Sequence, residues 1–174
     1  GPTLAAMAGL HRRIHRLTGE ALPDQKAALR ATVARAPLPK AVYDAVTALM
    51  DTLPEGAALC HGDIHLGNVL LGPGGPCILD WEKACRGSPA GDLARTLVLI
   101  RHGTFDGPLP RLLVTAARRW LARSYRRAYQ AAGPSLDSAE LEGWIAVMTA
   151  AKLAYVPERQ AAGIRRELDA RLNL

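Results

Sequence analysis

Hydrophobic residues recur at helical spacing along most of the chain. Over residues 3–18 the large apolar positions lie three or four residues apart, and Gly19 follows as a stop signal. Six further segments are also predicted to be helical, and Asp137 or Ser138 can cap one of them. The pattern predicts helices at residues 3–18, 24–35, 39–52, 92–102, 109–131, 137–154 and 157–172, with a loop over residues 103–110.

Two short apolar runs, residues 69–71 and 77–79, depart from this pattern. Between them lies Gly-Pro-Gly-Gly-Pro at residues 72–76, a composition typical of a tight turn. Apolar runs on either side of such a turn predict a β-hairpin. Residues 57–60 form a short apolar lead-in to the loop before it. The sequence therefore predicts a mainly α protein with one small β-hairpin (α+β).

Polar residues flank the open end of the predicted hairpin. Asn68 precedes the first strand and Asp80 follows the second, so cross-strand geometry would place them about 5 Å apart. An amide oxygen and a carboxylate at that separation can share one Mg²⁺ ion, which prefers oxygen ligands. Asp63 precedes Asn68 in a loop from which its carboxylate can reach a substrate hydroxyl. Together these groups suit phosphoryl transfer, which depends on positioning and charge neutralisation.

The same residues carry a resemblance to a known family. Residues 61–68, His-Gly-Asp-Ile-His-Leu-Gly-Asn, and residues 80–82, Asp-Trp-Glu, resemble the aminoglycoside phosphotransferase and choline-kinase-like family. The first segment is also similar to the protein-kinase catalytic loop H-R-D-x-x-x-x-N, with Gly in place of Arg. Residues 91–96, Gly-Asp-Leu-Ala-Arg-Thr, extend the resemblance.

The resemblance implies a small-molecule kinase with a protein-kinase-like fold. It would transfer the γ-phosphate of ATP or GTP to a hydroxyl of an aminoglycoside-type antibiotic or a related metabolite. Asp63 would be the catalytic base, and Asn68 and Asp80 would bind Mg²⁺. His65 occupies the position at which protein kinases carry a phosphate-contacting Lys, so it would contact the nucleotide; a structural hydrogen bond is the alternative.

Two further residues would support the catalytic loop. By the resemblance, His61 would be a scaffold residue of the loop, and Asp92 would brace the loop from the start of a helix. Asp92 is also a good N-cap for a helix over residues 93–101, and the two roles are compatible.

Two other function classes remain open. His61, Asp63 and His65 alternate as H-x-D-x-H, a spacing seen among the metal ligands of hydrolases. His11 and His15 form a possible i,i+4 ligand pair, although the Arg-rich segment around them is a poor zinc environment. The other alternative is a non-catalytic binding or regulatory module.

Charge and composition limit the kinds of partner that the protein is expected to bind. The net charge is +6, and much of it is Arg in the second half of the chain. In the helix over residues 109–131, Arg residues occupy one side and apolar residues, among them Trp120 and Tyr125, the other, which predicts a solvated basic face. A surface for anionic ligands is the alternative. No recognised nucleic-acid motif accompanies this face, so no nucleic-acid partner is expected.

The chain is expected to form one domain, residues 1–174, with a real core. No apolar run approaches the roughly 20 residues of a membrane span, so no membrane partner is expected. The three cysteines are odd in number and lack C-x-x-C spacing, which favours reduced thiols in a cytoplasm.

A kinase of this family has two lobes, and only one is recognisable. The sequence contains neither the phosphate-covering loop and strand Lys of an N-terminal nucleotide lobe nor a G-x-x-x-x-G-K-S/T motif. Residues 72–75 lie at the far end of the hairpin from Asp63. We therefore expect the C-terminal lobe alone, with the nucleotide lobe supplied in cis or in trans. An acidic pocket for an aminoglycoside could come from Glu140, Glu142 and Glu158, which could equally be surface caps.

Overall fold

The structure, a computed structural model, describes residues 2–103 and 110–174. Within these residues the chain forms seven α-helices, so the predicted mainly α fold is confirmed. The part of the predicted loop that covers residues 104–109 lies outside the described residues. The helices are α1 (Pro2–Ile14), α2 (Gln25–Val33), α3 (Lys40–Thr52), α4 (Pro89–His102), α5 (Arg111–Ala131), α6 (Ser138–Lys152) and α7 (Glu158–Leu172).

Two antiparallel strand pairs make up the β part. The predicted hairpin forms from β2 (Val69–Gly72) and β3 (Gly75–Ile78). A second pair, β1 (Ala58–Cys60) and β4 (Cys85–Gly87), was not predicted. The segment over residues 57–60 was expected only as a lead-in, but most of it is β1. Strand β4 is three residues long and contains Arg and Gly, so its sequence lacks a strand pattern.

Helix α6 lies at the centre of the hydrophobic core. Nine of its residues are buried, including Trp144, because apolar residues occupy nearly all of its circumference. It packs against α4, α3 and α7. Its first turn is capped by Asp137, whose Oδ1 accepts a hydrogen bond from Glu140 N at 2.7 Å, so one of the two predicted caps is confirmed. The packing of α4 against α6 forms the floor of the candidate site.

Two predicted helix boundaries are wrong in ways that affect the site. Helix α1 ends at Ile14, and Leu17 beyond it is 56% exposed. The Leu17 carbonyl accepts a hydrogen bond from Leu59 N, so the chain after Ile14 pairs with β1 instead of continuing the helix. Helix α4 begins at Pro89, and its N-cap is Ser88, whose hydroxyl accepts from Ala90 N. Asp92 is therefore inside the first turn and is not the N-cap that its sequence position predicted.

Helix α5 is amphipathic, with one exception to the predicted faces. Tyr125 and Tyr129 are fully buried, while Arg119, Arg123 and Arg127 are exposed. Trp120, however, was placed on the inner face and is 58% exposed. None of the helices in the described part of the chain has the length and apolar character needed to cross a bilayer.

Candidate active site

The loop that follows β1 is held by the side chain of Asp92. Asp92 Oδ2 accepts a hydrogen bond from His61 N at 2.7 Å, and Oδ1 accepts one from Gly62 N at 2.8 Å. Arg95, one turn further along α4, donates from Nε to the carbonyl of Gly62. Both polar groups of the Gly62 backbone are thus bound by α4. Asp63 comes next, so its position is determined by this anchor.

Asp92 is itself the centre of a buried hydrogen-bond network. Its Oδ2 lies 3.1 Å from His11 Nε2 and 3.1 Å from His15 Nε2. The Nδ1 atoms of these two rings lie 2.8 Å from the Tyr125 hydroxyl and 2.7 Å from the Tyr129 hydroxyl, respectively. Helices α1, α4 and α5 therefore meet at one carboxylate, which also anchors the loop.

Electrostatics favour a single protonation pattern in this network. Burial alone would raise the pKa of Asp92, but its hydrogen bonds and charge interactions with His11 and His15 hold that pKa well below the usual value. Burial lowers the pKa of His11 to about 4, against the attraction of Asp92. Burial also raises the pKa of Tyr125 well above its usual value. An ionised Asp92 thus accepts from a neutral His11, which in turn accepts from the Tyr125 hydroxyl.

The H-x-D-x-H cluster of metal ligands, which the hydrolase alternative needs, does not form among the described residues. There, the one group of His, Cys, Asp or Glu ligand atoms that converges within 4.8 Å is that of His11, His15 and Asp92. These three side chains bind one another and two tyrosines, so their ligand atoms are already engaged. His61 uses Nδ1 to accept from Asp63 N at 3.2 Å. This geometry does not support the hydrolase alternative.

His61 connects the loop to the hairpin. Because Nδ1 accepts from a backbone N–H, the neutral ring carries its proton on Nε2 and donates it to the carbonyl of Leu79 at 3.0 Å. Burial lowers the pKa of His61, which favours this neutral form. The Trp81 ring lies 4.6 Å from the His61 ring, centroid to centroid. His61 thus holds residues 79–81 against the loop that carries Asp63.

The structure brings Asn68 and Asp63 into direct contact. Asn68 Nδ2 donates to the carbonyl of Asp63 at 3.0 Å, and the Asn68 carbonyl accepts from Leu79 N at 2.9 Å. Leu79 is therefore the cross-strand neighbour of Asn68, and Asp80 is the next residue. It adopts a left-handed backbone with φ of 62°, which Asp tolerates better than most residues. The Asn68 amide oxygen and the Asp80 carboxylate are oxygen donors of the kind that Mg²⁺ binds.

His65, which is expected to contact the nucleotide, also makes a structural hydrogen bond. It caps the 3₁₀ turn Leu66–Asn68, and its Nδ1 accepts a hydrogen bond from Gly67 N at 3.1 Å. The structural alternative for this residue is thus observed as a hydrogen bond. The ring's Nε2 is the atom left for a nucleotide contact.

A cleft of about 200 Å³ opens beside Asp63, between α4 and the end of α6. Asp63 Oδ2 lies 2.6 Å from Lys83 Nζ, and Oδ1 lies 3.9 Å from an Arg95 Nη. The Asp63 side chain is 13% exposed. The cleft is lined by Asp63, Lys83, Arg95, Val98, Leu99, Met148, Lys152 and Tyr155.

Sequence reasoning missed the cations of this cleft. Strands β1 and β4 pair Cys60 with Cys85, and the same register places Lys83 across from Gly62. The unpredicted strand pair therefore brings Lys83 to Asp63. Arg95 lay within the Gly-Asp-Leu-Ala-Arg-Thr segment, one helical turn after Asp92, and that spacing was an available signal. No sequence pattern around Lys152 indicates that it lines the cleft, because only the packing of α6 places it there.

The glutamates considered for an acidic pocket lie elsewhere. Glu140 accepts from Ser88 Oγ at 2.9 Å, Glu142 pairs with Arg126 at 2.7 Å, and Glu158 pairs with Arg165. None of the three lines the cleft beside Asp63.

A comparison with known proteins identifies the family of the chain. A model of the phosphotransferase enzyme family (APH) matches residues 3–134, which is more than half of the chain and includes every candidate catalytic and metal-binding residue. No curated protein matches the chain significantly. The chain therefore belongs to the phosphotransferase enzyme family.

Proposed function

We propose that the chain is the catalytic-loop lobe of a small-molecule kinase that transfers the γ-phosphate of ATP or GTP to a hydroxyl group. The observation that carries the proposal is the contact between Asn68 Nδ2 and the Asp63 carbonyl. This contact joins the loop that carries the candidate base, Asp63, to the end of the hairpin where the candidate metal ligands Asn68 and Asp80 lie. Family membership supports the same reaction class.

In this mechanism Asp63 orients the acceptor hydroxyl and takes its proton. The acceptor oxygen forms a new bond to the γ-phosphorus, and the bond between that phosphorus and the β,γ-bridging oxygen breaks to release the nucleoside diphosphate. Asn68 and Asp80 would hold Mg²⁺, which neutralises phosphate charge when it is bound. His65 would contact the nucleotide through Nε2. His61 and Asp92 act indirectly, because they position the loop and do not touch the substrate.

A separate nucleotide lobe is part of the proposal. Four large apolar side chains on the hairpin and its flanks are exposed, and a second lobe would cover them: Leu66, Leu70, Leu79 and Trp81. The residues assigned here supply a base and metal ligands but no glycine-rich phosphate loop. That loop would come from a second segment, in cis or in trans.

The test compares two Asp→Asn variants of the protein assayed together with its proposed nucleotide lobe. Asp63→Asn should lower kcat at least ~100-fold, since general-base catalysis contributes that much or more, while nucleotide affinity stays unchanged. Asp44→Asn is the control, because Asp44 is an exposed acid paired with Lys40 on α3. Near-normal turnover in Asp63→Asn would remove the proposed base.

A non-catalytic binding module is the second candidate. The ion pair between Asp63 Oδ2 and Lys83 Nζ, at 2.6 Å, favours it, because the candidate base is already occupied by a cation. A transfer assay on the wild-type protein and on Lys83→Met separates the two functions. A kinase should transfer phosphate in the wild type and keep measurable transfer in the variant, whereas a binding module should show no transfer with either form.

A further inference from the structure

The cleft beside Asp63 has an excess of positive charge. Three cations line it against one carboxylate, and they come from different parts of the chain: Lys83 before β4, Arg95 on α4, and Lys152 at the end of α6. The chain has only four lysines, and two of them are here. Asp63 is close to Lys83 and Arg95, so it neutralises part of their charge.

Lys152 is the cation without such a neutralising contact. Within the part of the chain that the structure describes, no ion pair or hydrogen bond joins its ammonium to another side chain. It is half-buried, and burial, reinforced by repulsion from Arg95 and Lys83 and opposed by the attraction of Asp63, lowers its pKa. A half-buried cation repelled by two others gains most from an anion placed between them.

The cleft is separate from the candidate metal ligands. The candidate metal ligands Asn68 and Asp80 are at the end of the hairpin, and neither lines the cleft. Apolar side chains of α4 and α6, Val98, Leu99 and Met148, form the rest of its wall. The cleft thus combines apolar wall residues, three cations and the candidate base Asp63.

We infer that the acceptor of this phosphotransferase carries a negatively charged group, a carboxylate or a phosphate, close to the hydroxyl that is phosphorylated, and that Lys152 binds this group. The inference rests on the proposed function for the identity of the hydroxyl as the acceptor. An aminoglycoside-type acceptor, one of those that the family resemblance implies, is a polycation and would be repelled by the three cations.

The test measures binding to this 174-residue chain by NMR at low ionic strength, without nucleotide. Glycerate and glycerol form a matched pair, because a carboxylate in one replaces a hydroxymethyl group in the other, and kanamycin serves as the polycation. Glycerate should bind more tightly than glycerol and kanamycin. Lys152→Met should weaken glycerate binding about 5-fold, as expected for one lost charge-assisted contact, and Lys152→Arg should restore it.

The control variant is Lys40→Met, which removes the same charge from an exposed site on α3 that does not line the cleft. It should leave glycerate binding unchanged. Thermal unfolding of each variant checks that the fold is retained. Equal behaviour of glycerate and glycerol, preferential binding of kanamycin, or equal effects of Lys152→Met and Lys40→Met would each overturn the inference.

A second arm separates the acceptor's anion from nucleotide phosphates. Glycerate binding should persist in EDTA and in Asp80→Asn, because Lys152 needs no metal to attract an anion. Anion binding that requires both Mg²⁺ and Asp80 would assign the cleft to the nucleotide and overturn the inference. These titrations include no transfer step. Absence of kinase activity would therefore count against the proposed function and leave the binding result standing.

Discussion

The carboxylate of Asp92 accepts a 2.7 Å hydrogen bond from the backbone N–H of His61, although the two residues lie 31 positions apart in the chain. Through this bond the first turn of α4 sets the position of the loop that carries Asp63. The same carboxylate is fully buried and is bound by two histidine side chains. The geometry of the candidate site therefore depends on an interior network as much as on its own residues.

Removal of the Asp92 charge should strongly destabilise the fold. Asp92→Ala leaves two backbone N–H groups and two buried histidines without their acceptor, and breaking such a network typically costs about 3–5 kcal/mol. Urea unfolding measures the change in the free energy of unfolding. Asp44→Ala, at an exposed ion pair, should change it by less than about 1 kcal/mol. A loss of similar size in both variants would contradict the network.

Stability should fall as the pH is lowered from 6.5 to about 4. The pKa of His11 is about 4 in the folded protein and 6.5 when unperturbed, so between these values the unfolded chain binds more protons. The loss should be on the order of 3 kcal/mol. His11→Gln keeps a donor for Asp92 but does not titrate, so its unfolding free energy should vary less over this range. An unchanged pH profile in His11→Gln would contradict the assignment.

Gly62→Ala should destabilise the loop that carries Asp63. Gly62 has φ of +76°, and an added Cβ would lie 2.3 Å from the carbonyl oxygen of Lys83, so both the backbone conformation and the contact oppose a side chain. The expected loss is about 2 kcal/mol or more. Gly74→Ala is the matched control, because no atom lies within 4 Å of an added Cβ there. Thermal denaturation of the two variants gives the comparison; equal melting temperatures would show that the loop tolerates the change.

This 174-residue chain should bind Mg²⁺·ATP weakly or undetectably by calorimetry. The described residues provide candidate metal ligands and a candidate base but no phosphate-covering loop, so in the proposed function most of the contacts that hold a nucleotide come from a separate lobe. Mg²⁺·GTP should behave in the same way. Tight binding of either nucleotide would show that the proposal of a separate nucleotide lobe is wrong.

Much of the fold could be predicted because its signals are local. Helical periodicity located seven helices, and the Gly-Pro-rich turn located the hairpin. The errors occurred where a long-range contact overrode the local pattern. Helix α1 ends at Ile14 because the chain beyond it pairs with β1, as in the bridge between Thr18 and Ala58. Strand β4 forms because its backbone pairs with that of β1.

The candidate site also has a part that the sequence predicts and a part that it does not. Asp63, Asn68 and Asp80 lie within 18 residues of one another, so a hairpin and a loop suffice to bring them together, and the motif was visible in the chain. The partners of Asp92 were less visible. The i,i+4 spacing of His11 and His15 is visible in the sequence, but nothing near them in sequence indicates that they face a carboxylate on α4.

The sequence by itself determined the family, the mainly α fold and the positions of the candidate base and metal ligands, because each depends on residues close together in the chain. Only the tertiary structure decided the charge of the cleft and the anchoring of the loop. Lys83, Arg95 and Lys152 come from separate elements, and they meet because α4 packs against α6 and β4 pairs with β1. The proximity of these three residues results from tertiary packing, which a local sequence pattern does not predict.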